Sequence, residues 1–262
     1  MATNPLLNLA FQAVFTGGEY LRTRNLLSTS SDENKNSDPD VEVGRRVKSV
    51  LEQLEYKVFS EEVDDPVMRR KQEYFWWVDP IDGTRGYLEG EKDYGISVGF
   101  VAQGKYPVLG VVYQPAYRKL FYGFHEEGAY VRDLLTGNER QISVSERHID
   151  GLVGVLGKQS TKKVEMLYSQ MGLSNYCGRI GSFTAKVLVI AEGKGDVYLK
   201  QGNKCNEWDS CAVDVILREA GGQITDLEGN RLIYNKENPN FDKGILVSNR
   251  VAHNLLLERL KK

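Results

Sequence analysis

The sequence predicts a mixed α/β (α+β) fold, with an antiparallel sheet in the first half and alternating helices and strands in the second. Three observations carry this. Apolar residues recur at helical spacing at both ends of the chain; four apolar or aromatic runs separated by turn residues follow Asp93; and from about residue 136 strand-like and helix-like segments alternate.

Taken in order, Leu6, Leu7, Ala10 and Val14 pattern a first helix, and the run that holds them has neither a basic leader region nor a small-residue cleavage site. The stretch SSDENKNSDPD has a loop's composition and ends near Asp40. Val43, Val47, Val50, Leu51 and Leu54 then mark a second helix, and Tyr56 to Phe59 a short strand running into the acidic SEEVDD. Phe75 to Val78 form an apolar strand; Pro80 removes a backbone donor there, so Asp79 and Asp82 are expected on the loop that leaves it. GISVGFVA, PVLGVVY, KLFYGF and GAYV, divided by Gln103-Gly104 and Pro115, read as an antiparallel meander. Beyond it come a strand LVGVLG, a helix from Lys162 to Met171, a helix AKVLVIAEG, a strand DVYL and a helix from Ser210 to Ala220. The strands GGQITD and GILVSN precede a closing helix from Val251. There is no internal repeat, and the change of texture divides the chain into expected subdomains 1–135 and 136–262.

Composition narrows the function classes. The 34 basic against 36 acidic residues, a formal charge of −2, argue against a nucleic-acid or membrane binder held by bulk charge. Cys177, Cys205 and Cys211 form no C-x-x-C pair, which suits a reducing compartment, and no window approaches eighteen apolar residues. A cytoplasmic protein is expected.

The chemistry concentrates in WWVDPIDGT. Asp79 and Asp82 bring two anions together with no Lys or Arg between them, so a divalent cation is the natural neutraliser, and Gly83 and Thr84 supply N–H groups and a hydroxyl for a phosphate beside it. Asp-Pro and Asp-Gly are also ordinary turn dipeptides. An EF-hand register fails, because it sets Val78 and Pro80 where the first oxygen ligands should be. Two further acidic sites have similar settings: Glu61 and Glu62 end a strand, and Asp209 stands at a helix start, where alone it would read as an N-cap. Oxygen ligands suit Mg²⁺, whereas His125, His148 and His253 show no zinc spacing and are expected at the surface.

The ordered set E-E, D-P-I-D-G-T, W-D-x-x-A and E-A-G-G, from about Asp40 to Asn249, resembles the magnesium-dependent, lithium-sensitive phosphomonoesterases typified by inositol monophosphatase and fructose-1,6-bisphosphatase. That resemblance implies a layered α/β/α/β/α sandwich and two or three Mg²⁺ ions held by Glu61, Asp79, the Ile81 carbonyl, Asp82 and Asp209. It also implies in-line attack by a metal-activated water, with Glu61 and Thr84 catalytic and Asp40, in S-D-P-D where the family has T-x-x-D, orienting Thr84.

The continuation RGYLEGEKDYGISVGF resembles 3′(2′),5′-bisphosphate nucleotidases more than inositol monophosphatases, and Lys186 and Lys200 stand where those nucleotidases carry basic residues. The implied substrate is a small phosphate ester, adenosine bisphosphate, met by Gly83, Thr84, Arg85, Lys186, Lys200 and Asp209 in a monomer or homodimer. Without the resemblance, lysines at the ends of a helix and a strand would be taken as solvent-facing. Lys158-Gln159-Ser160 departs from the Ser-His-Ser usual in the nucleotidases, which keeps open an inositol phosphatase, or one accepting inositol bisphosphates or NADP. A silent, sensing homologue would be expected to lose a metal carboxylate or the threonine, and this chain retains them.

Overall fold

The computed structural model describes residues 4–27, 38–202 and 205–261. The polar stretch expected as a loop lies outside these residues as far as Asp38. Helix α1 (Pro5–Leu27) is followed by α2 (Pro39–Leu51), whose start is set by Pro39 in its first turn and by the Asp38 side chain, which accepts from the Asp40 N–H.

Strand β1 (Lys57–Ser60) runs parallel to β2 (Phe75–Asp82). The meander follows antiparallel as β3 (Gly95–Ala102), β4 (Tyr106–Gln114), β5 (Lys119–Phe124), β6 (Gly128–Asp133) and β7 (Glu139–Ile142), in sequence order across one sheet. Short helices α3 (Pro66–Arg69) and α4 (Thr84–Leu88) flank β2. Strands β8 (Val153–Gly157), β9 (Asn175–Ile180), β10 (Val197–Lys200), β11 (Gln223–Asp226) and β12 (Ile245–Ser248) form a second sheet, ordered β11-β12-β10-β8-β9. Its helices are α5 (Lys162–Gln170), α6 (Phe183–Ala191), α7 (Glu207–Glu219) and α8 (His253–Leu260). Among the described residues no helix is long and apolar enough to cross a membrane.

Alternation along β2 explains the layering. Trp76 and Val78 face one way, into a core with Ala10, Val14, Val43 and Val47 of α1 and α2. Phe75 and Trp77 face the other, into a core shared with α6, α7 and the second sheet. A third cluster joins Leu199 and Leu246 to Tyr168 of α5 and Leu256 of α8. The order is therefore helices, sheet, helices, sheet, helices, as the resemblance implied.

Helix α7 packs directly on the backbone of the first sheet. Gly99, Gly110 and Gly123 pair across β3, β4 and β5 in one row, and a Cβ on Gly110 would fall 2.0 Å from the Ala212 carbonyl oxygen. Only hydrogen fits between helix and strand there.

Several local expectations change. Asp79 and Asp82 lie within β2 rather than beyond it, because a bulge between them absorbs Pro80 without ending the ladder. Helix α7 begins at Glu207 with Asn206 as its N-cap, so Asp209 is the third helical residue and its carboxylate reaches back to the Asn206 N–H at 2.6 Å. His253 is buried, held by Thr225 Oγ1 at 2.9 Å and Ser248 Oγ at 2.7 Å, because α8 packs its first turn against β11 and β12; burial pulls its pKa down to about 4. Strands β7 and β9 were not anticipated: they are short, exposed at most positions, and lack an apolar run.

The glycine row predicts a large, local cost of added volume. Gly110→Ala is expected to lose about 3 kcal/mol or more, since backbone cannot swing aside as a side-chain tip can. Gly151→Ala, where a Cβ meets open space, is expected to change little. Denaturant unfolding of both variants checks this; equal stability would show that α7 can lift off the sheet without penalty.

Candidate active site

Four separate parts of the chain deliver acids to the end of β2. Asp40 enters from the first turn of α2 and is buried. Glu61 and Glu62 are the two central residues of a tight turn closed by Ser60 and Val63, whose N–H groups each donate to the other's carbonyl oxygen, at 3.0 and 3.1 Å. Asp40, Glu61 and Glu62 bring carboxylate oxygens within 4.8 Å of one another.

The bulge in β2 does the rest. Residues three apart on a regular strand point to opposite faces. Between Asp79 and Asp82, however, β2 spends one residue more than β3 does, since Asp79 pairs with Ser97 and Asp82 with Gly95. The added residue reverses the phase, so Asp82 turns toward the same layer as Asp79. There it meets the start of α6: Asp82 accepts from the Phe183 N–H at 3.1 Å, the Thr184 N–H at 2.5 Å and the Ser182 hydroxyl at 2.5 Å. Asp209 arrives from α7 on the inner side.

Electrostatics show how crowded the acids are. Burial raises Asp79 well above the usual carboxyl range, and Asp82, Asp209, Glu61 and Asp40 raise it further. Asp40 is pushed up to about 7, mainly by burial and then by Glu61. Asp209 also reaches about 7; burial drives the rise, the Asn206 N–H opposes it, and Asp82 and Glu61 add to it. Glu61 is raised by its surroundings and by Glu62 and Asp82. Asp79 Oδ1 is buried with no hydrogen-bond partner among the described residues. A buried, unsatisfied carboxylate oxygen facing other acids fits a hard divalent cation, and the oxygen donors here fit Mg²⁺ better than a soft metal. The Cys205 thiol beside Asp209 is pushed up by burial and so stays protonated, a donor rather than a soft ligand.

Thr84 opens α4 beside this cluster. Its Oγ1 donates to the Ile81 carbonyl oxygen at 2.8 Å and lies 3.3 Å from Asp40 Oδ1. Gly83 holds a left-handed conformation, φ 90°, and a Cβ there would press on Ser182 at 3.2 Å.

A cleft of about 500 Å³ adjoins the acids and is lined in part by Gly83, Arg85, Lys158, Lys186 and Lys200. Its cations are not equivalent. Arg85 is exposed and paired with Glu89 at 2.9 Å. Lys158, in the segment that departs from Ser-His-Ser, is paired with Glu91 at 2.5 Å and lies 3.7 Å from Asp93. Lys186, far from being solvent-facing, is buried over the Tyr198 ring and donates to the Gly181 and Ser182 carbonyls, each at 2.7 Å; burial lowers its pKa to about 8. Lys200 has no hydrogen-bond or ion-pair partner among the described residues. Sequence reasoning missed Ser182 as a holder of Asp82, although a serine before the helical run FTAKVLVIA is an N-cap signal. It singled out Lys158-Gln159-Ser160 as a departure from Ser-His-Ser without assigning Lys158 a role, and all three residues line the cleft.

A pH dependence follows from the raised carboxyls. Without metal, the folded protein keeps protons on Asp40, Asp79 and Asp209 that an unfolded chain, with carboxyls near 3.8, has released. Stability from these groups therefore falls as pH rises from about 4 to 7. A divalent ion replaces those protons, so the rise in Tm on adding Mg²⁺ is expected to be larger at pH 8 than at pH 5.5. Comparing samples with and without Mg²⁺ at each pH cancels the opposite slope from His253; a Mg²⁺ effect independent of pH would separate the ion from these acids.

Comparisons with known proteins bear on the family and the fold. The chain is 28% identical over 258 residues to the 3′(2′),5′-bisphosphate nucleotidase CysQ of Aggregatibacter actinomycetemcomitans, covering 93% of this chain and 94% of that one. It is 30% identical over 179 residues to rat 3′(2′),5′-bisphosphate nucleotidase 1, covering 64% of this chain but spanning only 54% of the relative. It is also 28% identical over 275 residues to a fructose-1,6-bisphosphatase/inositol-1-monophosphatase of Aquifex aeolicus, with 98% and 95% covered. Among solved structures, CysQ from Bacteroides thetaiotaomicron superposes with a TM-score of 0.80 at 24% identity, covering 92% and 96%, a likeness of fold. The model of the inositol monophosphatase family matches residues 3–262, and the chain belongs to that family.

Proposed function

We propose that the chain is a Mg²⁺-dependent phosphomonoesterase that removes the 3′(2′)-phosphate of adenosine 3′(2′),5′-bisphosphate. The observation that carries this is the cleft lined by Lys200, which has no partner among the described residues, and by Gly83, the residue that follows the buried Asp82 of the acidic cluster. One phosphate at the acids and a second at Lys200 would use both features. The nucleotidase names of two relatives support the same reading.

Glu61, Asp79, Asp82, Asp209 and the second lone pair of the Ile81 carbonyl would hold the metal. Bound there, divalent ions supply a lowered water pKa and neutralisation of the leaving oxygen. The chain's own groups do the positioning. Thr84 Oγ1 stands between Asp40 and the Ile81 carbonyl, so when its one hydrogen turns from that carbonyl to Asp40 its lone pairs can accept from an attacking water. No covalent nucleophile is needed.

A second reading, an inositol phosphate phosphatase, is favoured by Glu89 and Glu91 in the same wall, since carboxylates accept hydrogen bonds from sugar hydroxyls. Lys200→Glu separates the two. It is expected to lower kcat/KM for adenosine 3′,5′-bisphosphate by roughly thirtyfold, about 2 kcal/mol, while inositol 1-phosphate changes little. If both substrates fall alike, Lys200 does not read the second phosphate and the nucleotide assignment loses its main support.

The proton path has its own test. Thr84→Val is expected to cost about a hundredfold in kcat and Asp40→Asn about tenfold, each with KM nearly unchanged, because these contacts matter chiefly in the transition state. The double variant is expected to lose little more than Thr84→Val alone. Losses that multiply would mean that the two side chains act independently.

A further inference from the structure

Lys186 lines the cleft, yet its ammonium is turned into the protein. Of its three N–H donors, two are taken by the Gly181 and Ser182 carbonyls at 2.7 Å, and the charge lies 5.2 Å from the centre of the Tyr198 ring. The Ser182 carbonyl belongs to the same peptide group as the Phe183 N–H, and that N–H donates to Asp82 Oδ1 at 3.1 Å. One peptide unit is thus held between a cation on its oxygen and a carboxylate on its nitrogen. Each contact polarises the peptide in the direction that strengthens the other.

The Thr184 N–H and the Ser182 hydroxyl complete the grip on Asp82, both at 2.5 Å. All three donors to Asp82 lie within the corner whose carbonyls Lys186 clamps. Asp82 has no ion-pair partner among the described residues, so its orientation depends on this corner.

We propose that Lys186 is a positioning residue for Asp82, acting through the Ser182–Phe183 peptide, and that it is not the residue that binds the substrate's second phosphate. The proposal rests on the phosphatase reading only in taking Asp82 as a metal ligand. It divides the two lysines: Lys200 faces the substrate, and Lys186 faces the metal site.

The experiment is a calorimetric titration of Mg²⁺ into metal-free wild type, Lys186→Met and Lys186→Gln, with kcat and KM measured for adenosine 3′,5′-bisphosphate and inositol 1-phosphate at saturating Mg²⁺. Lys186→Met is expected to weaken Mg²⁺ binding by about tenfold or more, as loss of support behind a ligand does, and to lower kcat for whichever esters are turned over without a selective rise in KM. Lys186→Gln keeps an amide donor pair for the carbonyls without the charge. It is expected to recover most of the Mg²⁺ affinity and to leave KM for the bisphosphate unchanged. Mg²⁺ affinity untouched by Lys186→Met, or a rise in KM for the bisphosphate alone in Lys186→Gln, would overturn the proposal. If the methionine variant does not fold, Lys186→Leu takes its place in the Mg²⁺ titration with the same expected and overturning outcomes, and the glutamine variant still tests through KM whether Lys186 binds the second phosphate. Wild type that fails to bind Mg²⁺ would instead remove the metal reading on which the proposed function stands.

Discussion

Helix α7 rests on backbone. The row Gly99, Gly110 and Gly123 gives it a floor without side chains, so the helix settles until Ala212 meets the peptide of Gly110 and Cys211 that of Gly99. That depth sets where α7 brings its acid. Asp209 lies in the first turn of α7, and its reach toward Asp79 and Asp82 is set by how closely the helix body approaches the sheet. The same helix buries Val213, Ile216 and Leu217 in the core between the two sheets, so the contact that places the acid also joins the layers.

Close packing then creates an electrostatic cost that the chain alone does not relieve. Asp79 has a buried oxygen without a hydrogen-bond partner among the described residues and three acidic neighbours raising its pKa besides Asp82. A protein selected for stability alone would place apolar side chains there, because buried like charges destabilise unless a cation joins them. Retaining the acids makes sense when a divalent ion is part of the working state. Asp82 differs from Asp79: three donors from the corner before α6 hold it, and that corner is held in turn by Lys186.

The cleft carries the question of substrate. Arg85 and Lys158 are occupied by Glu89 and Glu91, and Lys186 by backbone, which leaves Lys200 as the cation whose charge is uncommitted among the described residues. Four basic side chains in one wall are therefore not four phosphate contacts. The relatives carry nucleotidase and inositol phosphatase names at similar identity, so the choice between esters rests on this wall rather than on overall likeness.

By itself the sequence determined the order of the main elements, the antiparallel meander, and the short acidic motifs, because apolar periodicity and turn residues act over a few positions. Trp76 and Trp77 at adjacent positions already imply a strand buried on both faces. The layered order came from resemblance and is what the structure shows. What tertiary structure decided is where the local signals point. Pro80 reads as a strand end, yet the ladder continues through a bulge that turns Asp82 toward Asp79, since pairing with Gly95 outweighs one missing donor. Asp209 reads as a cap, yet it is the third residue of a longer helix capped by Asn206. Lys186 reads as solvent-facing, yet it is buried because two carbonyls of the corner just before α6, those of Gly181 and Ser182, accept its ammonium. The glycine row has no local signature at all: its three members are far apart in sequence and become neighbours only when the strands pair in register.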